Sequence, residues 1–262
     1  MLKLPTLKEL LASGAHFGQR TARWHPKMQP YLFGASKGVH IINLEKTREH
    51  LAIAAEFVLN LTRRGGVVLF VGTKSQAKKP VVDAATKAGV PYVTGRWLGG
   101  LFTNFNTVLN LIRKLEHLEQ DRDQGKLELY TKREQLDVQR QIKKLHDSIG
   151  GIKMMRRLPD AIFVVDVNID AIAIKEARRK KIPVIGIVDS NANPSLVDYP
   201  IPANDDAIKT IELICGVMAN AVLEGRGLMP AEPAVVGAPK AEKAPAKAEA
   251  KTGSDKKINP KE

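Results

Sequence analysis

Three short runs of apolar residues, none with a polar residue at alternate positions, set the strongest limit on what this chain can become. They are Val67-Val68-Leu69-Phe70-Val71, Ala161-Ile162-Phe163-Val164-Val165 and Pro183-Val184-Ile185-Gly186-Ile187-Val188. Runs of this length without a period of two mark strands buried on both faces. The first two lead into segments with helical spacing, one over residues 74–88 and one ending in Arg178-Arg179-Lys180-Lys181. Pro91-Tyr92-Val93-Thr94 follows the first of these helices at once. A short run at residues 199–201 precedes a last helix at about 205–224. Strands alternating with helices build βαβ units and a parallel sheet. The pattern therefore predicts an α/β fold with a doubly wound parallel sheet of five strands.

Residues 103–150 break that rhythm. Val108, Leu111, Leu115 and Leu118 recur at spacings of three and four, as do Val138, Ile142, Leu145 and Ile149. Between the two sets lies the turn-like run Asp121-Arg122-Asp123-Gln124-Gly125. Thr131-Lys132-Arg133-Glu134 has the form of a capping box, and Gly150-Gly151 stops the return helix. Dense charge beside a narrow apolar seam predicts an antiparallel coiled-coil hairpin inserted into the sheet domain. From Ala231 on, Ala, Lys, Glu and Pro replace nearly all large apolar residues, a composition unable to offset the entropy of ordering. The expected organisation is an α/β domain from residues 1–102 and 151–230, the hairpin at 103–150, and a disordered tail at 231–262.

At 262 residues, no disulfide or metal is needed to hold a core. The single cysteine, Cys215, lies in an apolar stretch and reads as a small buried hydrophobe. The first residues carry no signal-peptide pattern. Thr6-Leu7-Lys8-Glu9 instead caps a short helix that Gly14 ends, and no apolar run approaches membrane-spanning length. A soluble, cytosolic protein is expected.

The net charge is +13, from 41 Lys and Arg against 28 Asp and Glu. Residues 1–35 carry five basic and one acidic side chains, and residues 66–104 the same. Residues 161–230 carry seven and nine, and the tail seven and five. The body, not the tail, is the source of the basicity, and a polyanionic partner follows.

Several candidate sites for chemistry compete with plainer roles. Phe70-Val71-Gly72-Thr73-Lys74-Ser75 resembles the end of a phosphate-binding loop, but Thr73 and Val68 stand where that motif requires glycines. What survives is a helix start beside Lys74, able to take a phosphate of an RNA backbone. Asp166 and Asp189 follow strands, where enzymes of this architecture bind ligands, yet turn and cap formation is the commoner role of Asp there. The histidines at 16, 25, 40, 50, 117 and 146 are scattered, and a zinc site from His16 and His25 is weak. A stronger signal is the run from His16 to Met28, which interleaves Arg20, Arg23, His25 and Lys27 with Trp24. Gly95-Arg96-Trp97-Leu98-Gly99-Gly100 repeats the theme. Phosphate contacts from Arg and Lys, with aromatic planes on exposed bases, are how structured RNA is met. The tryptophans could equally brace their loops. The expected RNA-binding set is Arg20, Arg23, Trp24, His25, Lys27, Lys37, Lys74, Arg96, Trp97, Asn104, Lys153, Arg156 and Arg157. No catalytic, cofactor or metal residue is assigned.

An ordered series of segments resembles the family of ribosomal protein two of the small subunit, bacterial type. It comprises His16-Phe17-Gly18, Trp24-His25-Pro26-Lys27-Met28, Gly38-Val39-His40-Ile41-Ile42-Asn43-Leu44 and Leu69-Phe70-Val71-Gly72-Thr73-Lys74. Arg96-Trp97-Leu98-Gly99-Gly100, Thr103-Asn104-Phe105, Leu158-Pro159-Asp160-Ala161-Ile162 and Ile201-Pro202-Ala203-Asn204-Asp205-Asp206-Ala207-Ile208 complete it. The likeness is collinear over about residues 5–228. It implies a flavodoxin-like domain with a coiled-coil hairpin, seated on small-subunit rRNA between head and body. It also implies ribosomal proteins one, three and five as neighbours. Gln19 stands where the family commonly has His, and His25 where Asn is usual. Asp189-Ser190-Asn191-Ala192-Asn193-Pro194 lacks the family's cysteine and second carboxylate. The departures at Gln19 and at 189–194 remove metal-ligand side chains.

A structural RNA-binding component of the ribosome is the leading expectation. A nucleotide-dependent enzyme on a doubly wound sheet is the alternative, and a protein-only adaptor the third.

Overall fold

The computed structural model describes residues 3–129 and 131–227, so the expected tail at 231–262 lies outside the described residues. The chain opens with α1 (Leu7–Ser13), held by the capping box of Thr6 and Glu9 and ended by Gly14 in the left-handed region. Next come β1 (Phe17–Arg20), two 3-10 turns, β2 (Leu32–Ser36) and β3 (Val39–Ile42). These form a small antiparallel sheet in the order β1-β3-β2. Lys37 and Gly38 make the tight turn between β2 and β3, both at positive φ, 50° and 78°. That is the twist a two-residue hairpin requires. The sequence did not reveal this sheet, because residues 16–28 show no strand period. Its strands are four or five residues long and draw their stability from pairing with β3.

The main body follows as α2 (Leu44–Arg63), β4 (Val68–Val71), α3 (Ser75–Ala88), β5 (Tyr92–Val93), α4 (Phe105–Asp123) and α5 (Lys132–Ile149). It ends with β6 (Ala161–Val164), α6 (Ala171–Arg179), β7 (Val184–Val188), β8 (Tyr199–Pro202) and α7 (Ile208–Gly225). Five parallel strands lie in the order β5-β4-β6-β7-β8. Every residue of β4, β6 and β7 is buried, as unalternating apolar runs require. One apolar layer joins α1, α2, α3 and α7 to the sheet, and Cys215 is wholly inside it. Burial pushes its thiol up, away from nucleophilic chemistry. The opposite layer holds α4, α5 and α6. Among the described residues no helix is long and apolar enough to cross a membrane.

The hairpin helices differ from the expectation in two details. Asp121-Arg122-Asp123 is helical, and only Gln124 and Gly125 turn, with Gly125 at φ 73°. Asp121 is held on the helix by His117 at 2.8 Å and Lys126 at 3.1 Å. The inner part of the seam also does more than zip two helices together. Val108, Ile112, Leu115, Ile142 and Ile149 share one buried cluster with the sheet residues Leu69, Ile162 and Val164. The capping box at Thr131 and Glu134 forms as its spacing requires.

Candidate nucleic-acid interface

In open α/β sheets, ligands sit beyond the carboxyl ends of the strands, where strand order reverses. Here that place lies between β4 and β6, and it is filled by the protein itself. The Lys74 Nζ lies 2.7 Å from Asp205, 2.6 Å from Asp206 and 3.2 Å from Asp166. Its side chain is only 12% exposed. Burial works against its charge, but the hydrogen bonds to Asp205 and Asp206 prevail and hold the ammonium well above its ordinary value. Lys74 is therefore removed from the expected RNA-binding set, because its cation is already neutralised indoors. The neighbouring Thr73 hydroxyl bonds Asp170 at 2.8 Å, so a carboxylate already faces the start of α3. The one phosphate-like feature of the sequence is thus answered by acidic side chains of the same chain.

The surrounding carboxylates are built from turns. Asp166 Oδ1 accepts the Asn168 and Ile169 amides at 2.8 and 2.9 Å, which is the turn role expected from sequence. Burial raises Asp170, Asp189 and Asp205, the last also repelled by Asp166 and Asp189. Burial raises Asp206 too, but bonds from Lys74 and Gln19 outweigh it and leave it low. Asp189, Asp205 and Asp206 approach as a potential cation-binding trio. Lys74 and Gln19 already engage it. Gln19 Nε2 donates to Asp189 at 3.1 Å and to Asp206 at 2.7 Å. Neither His16 nor His25 belongs to such a group among the described residues.

These bonds also fasten the small sheet to the body. The Gln19 amide donates to Ser190 Oγ at 2.7 Å, and the His25 amide to the Ser190 carbonyl at 2.8 Å. Gly18 lets the strands come that close, since a Cβ there would lie 2.8 Å from Ser190 Oγ. The basic residues at the end of β1, in the two 3-10 turns and in the β2–β3 turn face solvent. Arg20, Arg23, Lys27 and Lys37 are all exposed. Lys27 reaches Ser195 at 3.3 Å, and among the described residues none of the four pairs with a carboxylate. Trp24 lies tilted against His40, 5.2 Å between ring centres, with 36% of its surface open. His25 uses Nδ1 to accept the Lys27 amide at 3.2 Å.

The second predicted cluster divides. Arg96 and Asn104 are exposed. Trp97 is 8% exposed, set edge-on to Phe102, with its indole N–H 3.3 Å from Glu176. It braces its loop and cannot stack on a base as placed, which corrects its inclusion in the RNA-binding set. Sequence reading passed over Glu176, in the middle of a helix. Its carboxylate also accepts the amides of Gly100, Phe102 and Thr103 at 2.7, 3.0 and 3.2 Å. Burial alone would raise its pKa, yet those amides and Trp97 hold it below the usual range. Lys153, Arg156 and Arg157 pair with Glu119, Glu116 and Asp160. The three pairs keep these cations near the surface without making them unavailable, since exposed pairs are weak.

Comparison with known proteins gives the family. A family model described as Ribosomal protein S2 matches residues 10–225. The small ribosomal subunit protein uS2 of a Nitratiruptor species is 47% identical over 223 residues, covering 85% of this chain and 84% of the relative. That of Coprothermobacter proteolyticus is 48% identical over 221 residues, covering 84% and 82%. That of Helicobacter acinonychis is 45% identical over 227 residues, covering 87% and 92%. With its doubly wound sheet, its helical hairpin and this continuous similarity, the chain belongs to the ribosomal protein S2 family, structural components of the small ribosomal subunit rather than enzymes.

Proposed function

We propose that the chain binds small-subunit rRNA in the cytoplasm as a non-catalytic scaffold, led by the exposed cations of the small sheet. The observation that carries this is the set Arg20, Arg23, Lys27 and Lys37, exposed on the small sheet and its turns, which are tied to Ser190, without a carboxylate partner among the described residues. Trp24 offers a half-open ring to an unstacked base beside them, and His25 holds the Lys27 turn. Arg96 and Asn104 add a second contact region. Lys153, Arg156 and Arg157 exchange their carboxylate partners for phosphates when RNA approaches. The hairpin at 103–150 reaches a neighbouring element, and ribosomal proteins one, three and five are the expected neighbours.

Charge reversal at Arg20 and Arg23 tests the reading. The double variant should melt like the wild type and be depleted from small subunits sedimented from a lysate. Wild-type occupancy would overturn the assignment of this face. Binding of the wild-type chain to rRNA should weaken steeply with salt, because phosphate contacts release counterions.

A further inference from the structure

The strand entrances at the amino edge of the sheet gather a second set of basic residues, four of them in the part of the chain whose average charge is acidic. Strands β4, β6 and β7 are neighbours, so their entrances lie about 5 Å apart in succession. The Asp160 amide donates to the Val67 carbonyl at 2.8 Å, and the Ile162 amide to the Pro183 carbonyl at 3.0 Å. Arg157 bridges sideways to the Gly65 carbonyl at 3.3 Å. Arg63 and Arg64 end α2 just before the first entrance, and Arg178, Arg179, Lys180 and Lys181 lie just before the third. All six are exposed, and none has a carboxylate partner among the described residues.

Two carboxylates stand at these entrances, and both are engaged with backbone. Asp160 accepts the Val67 amide at 2.8 Å and also binds Arg157. Asp198 accepts the Val184 amide at 2.8 Å. Helix C-terminal carbonyls favour nearby cations, which accounts for one or two of the basic residues. It does not account for four in succession within a Debye length of one another, whose mutual repulsion is unrelieved.

Lys181 gives an independent indication. The Ile182 amide bonds the Ala177 carbonyl at 2.9 Å, and the Lys181 amide bonds that of Arg178 at 3.0 Å. This paired pattern places Lys181 at the position after the helix where glycine is strongly preferred, and its φ is 57°. A lysine there keeps a charge at the expense of backbone comfort.

We propose that Arg63, Arg64 and Arg178 to Lys181 form a second docking surface for the phosphate backbone of RNA, at the amino edge of the sheet. This rests on the reading that the chain binds rRNA, and it adds a face distinct from the small sheet. Two such faces let the body be held between separate backbone segments.

Full-length chain and transcribed small-subunit rRNA provide the test, by filter binding across a salt series. Substituting Arg178→Gln, Arg179→Gln and Lys180→Gln together should lower affinity on the order of eightfold per lost contact at 0.1 M salt and flatten the salt slope. Lys181→Gly should weaken binding while raising the melting temperature by about 2–4 °C, whereas Lys181→Arg should leave both unchanged. A fall in affinity on Arg20→Gln/Arg23→Gln, with wild-type affinity and slope in the triple variant, would sink this surface and leave the proposed function standing. Failure of the wild-type chain to bind rRNA at any salt would overturn that function and this surface with it.

Discussion

The two edges of the parallel sheet have opposite electrical characters. At the carboxyl edge Asp166, Asp170, Asp189, Asp205 and Asp206 crowd around one buried lysine, Lys74. At the amino edge, exposed arginines and lysines follow α2 and α6, while Asp160 and Asp198 are bound to backbone amides. The direction of a βαβ fold explains the sorting. Each helix that follows a strand starts at the carboxyl edge with its positive dipole end and finishes at the amino edge with its negative end. Acidic side chains gather at the first and basic ones at the second. The lesson is that the crevice where enzymes of this architecture hold phosphates is here filled by Lys74 and its carboxylates, so anions must be met by the exposed cations around it or at the opposite edge.

Breaking the buried cation of the carboxyl edge should have the largest effect. Lys74→Met leaves buried carboxylates facing one another, and loss of one partner of a buried ion cluster costs about 3–5 kcal/mol. A thermal melt should fall by roughly 10 °C, and a loss under about 2 °C would mean that the cluster does not hold this edge. Glu176→Ala comes next, at about 2–4 kcal/mol, because three backbone amides and the Trp97 indole lose their acceptor. The native pKa of Glu176 is depressed, so its contribution is present above the ordinary glutamate range and disappears as the pH falls through its native value. The gap between wild type and variant in urea melts should therefore close in acid.

Asp205 has the opposite sign. Its carboxyl is raised by burial, so the native state holds its proton where the unfolded state has released it. That contribution is complete below about pH 4 and declines as pH rises through the native value. Asp205→Asn should flatten the fall in stability toward alkaline pH, and an unchanged slope in urea melts would assign that fall to other groups. The smallest effect belongs to the amino edge. Arg179→Gln should change stability by less than about 0.5 kcal/mol, since no carboxylate among the described residues holds it, and a larger loss would reveal a structural role for that charge.

Much of the frame was legible beforehand because its causes are local. The apolar runs could only be buried strands, and the capping boxes at Thr6 and Thr131 act over three residues. Lys74 and Trp97 were misread for a common reason. A lysine after a strand and a tryptophan in a glycine loop look exposed until their partners appear. Asp205 and Asp206 come from 131 and 132 residues along the chain, and Glu176 from 79 residues away. The small sheet was missed because its ladder, rather than any periodicity, makes its strands.

The α/β layers, the helices with their caps and the sign of the whole charge follow from local pattern or from a sum, and the family from an ordered series of motifs. Where that charge lies exposed depends on tertiary contacts. Residues 161–230 sum to slightly acidic, yet folding sends five of their six aspartates to the carboxyl edge of the sheet, and Arg178, Arg179, Lys180 and Lys181 to the amino edge. A sum over the sequence cannot register that separation, because successive strand ends alternate between edges some four to five residues of strand apart.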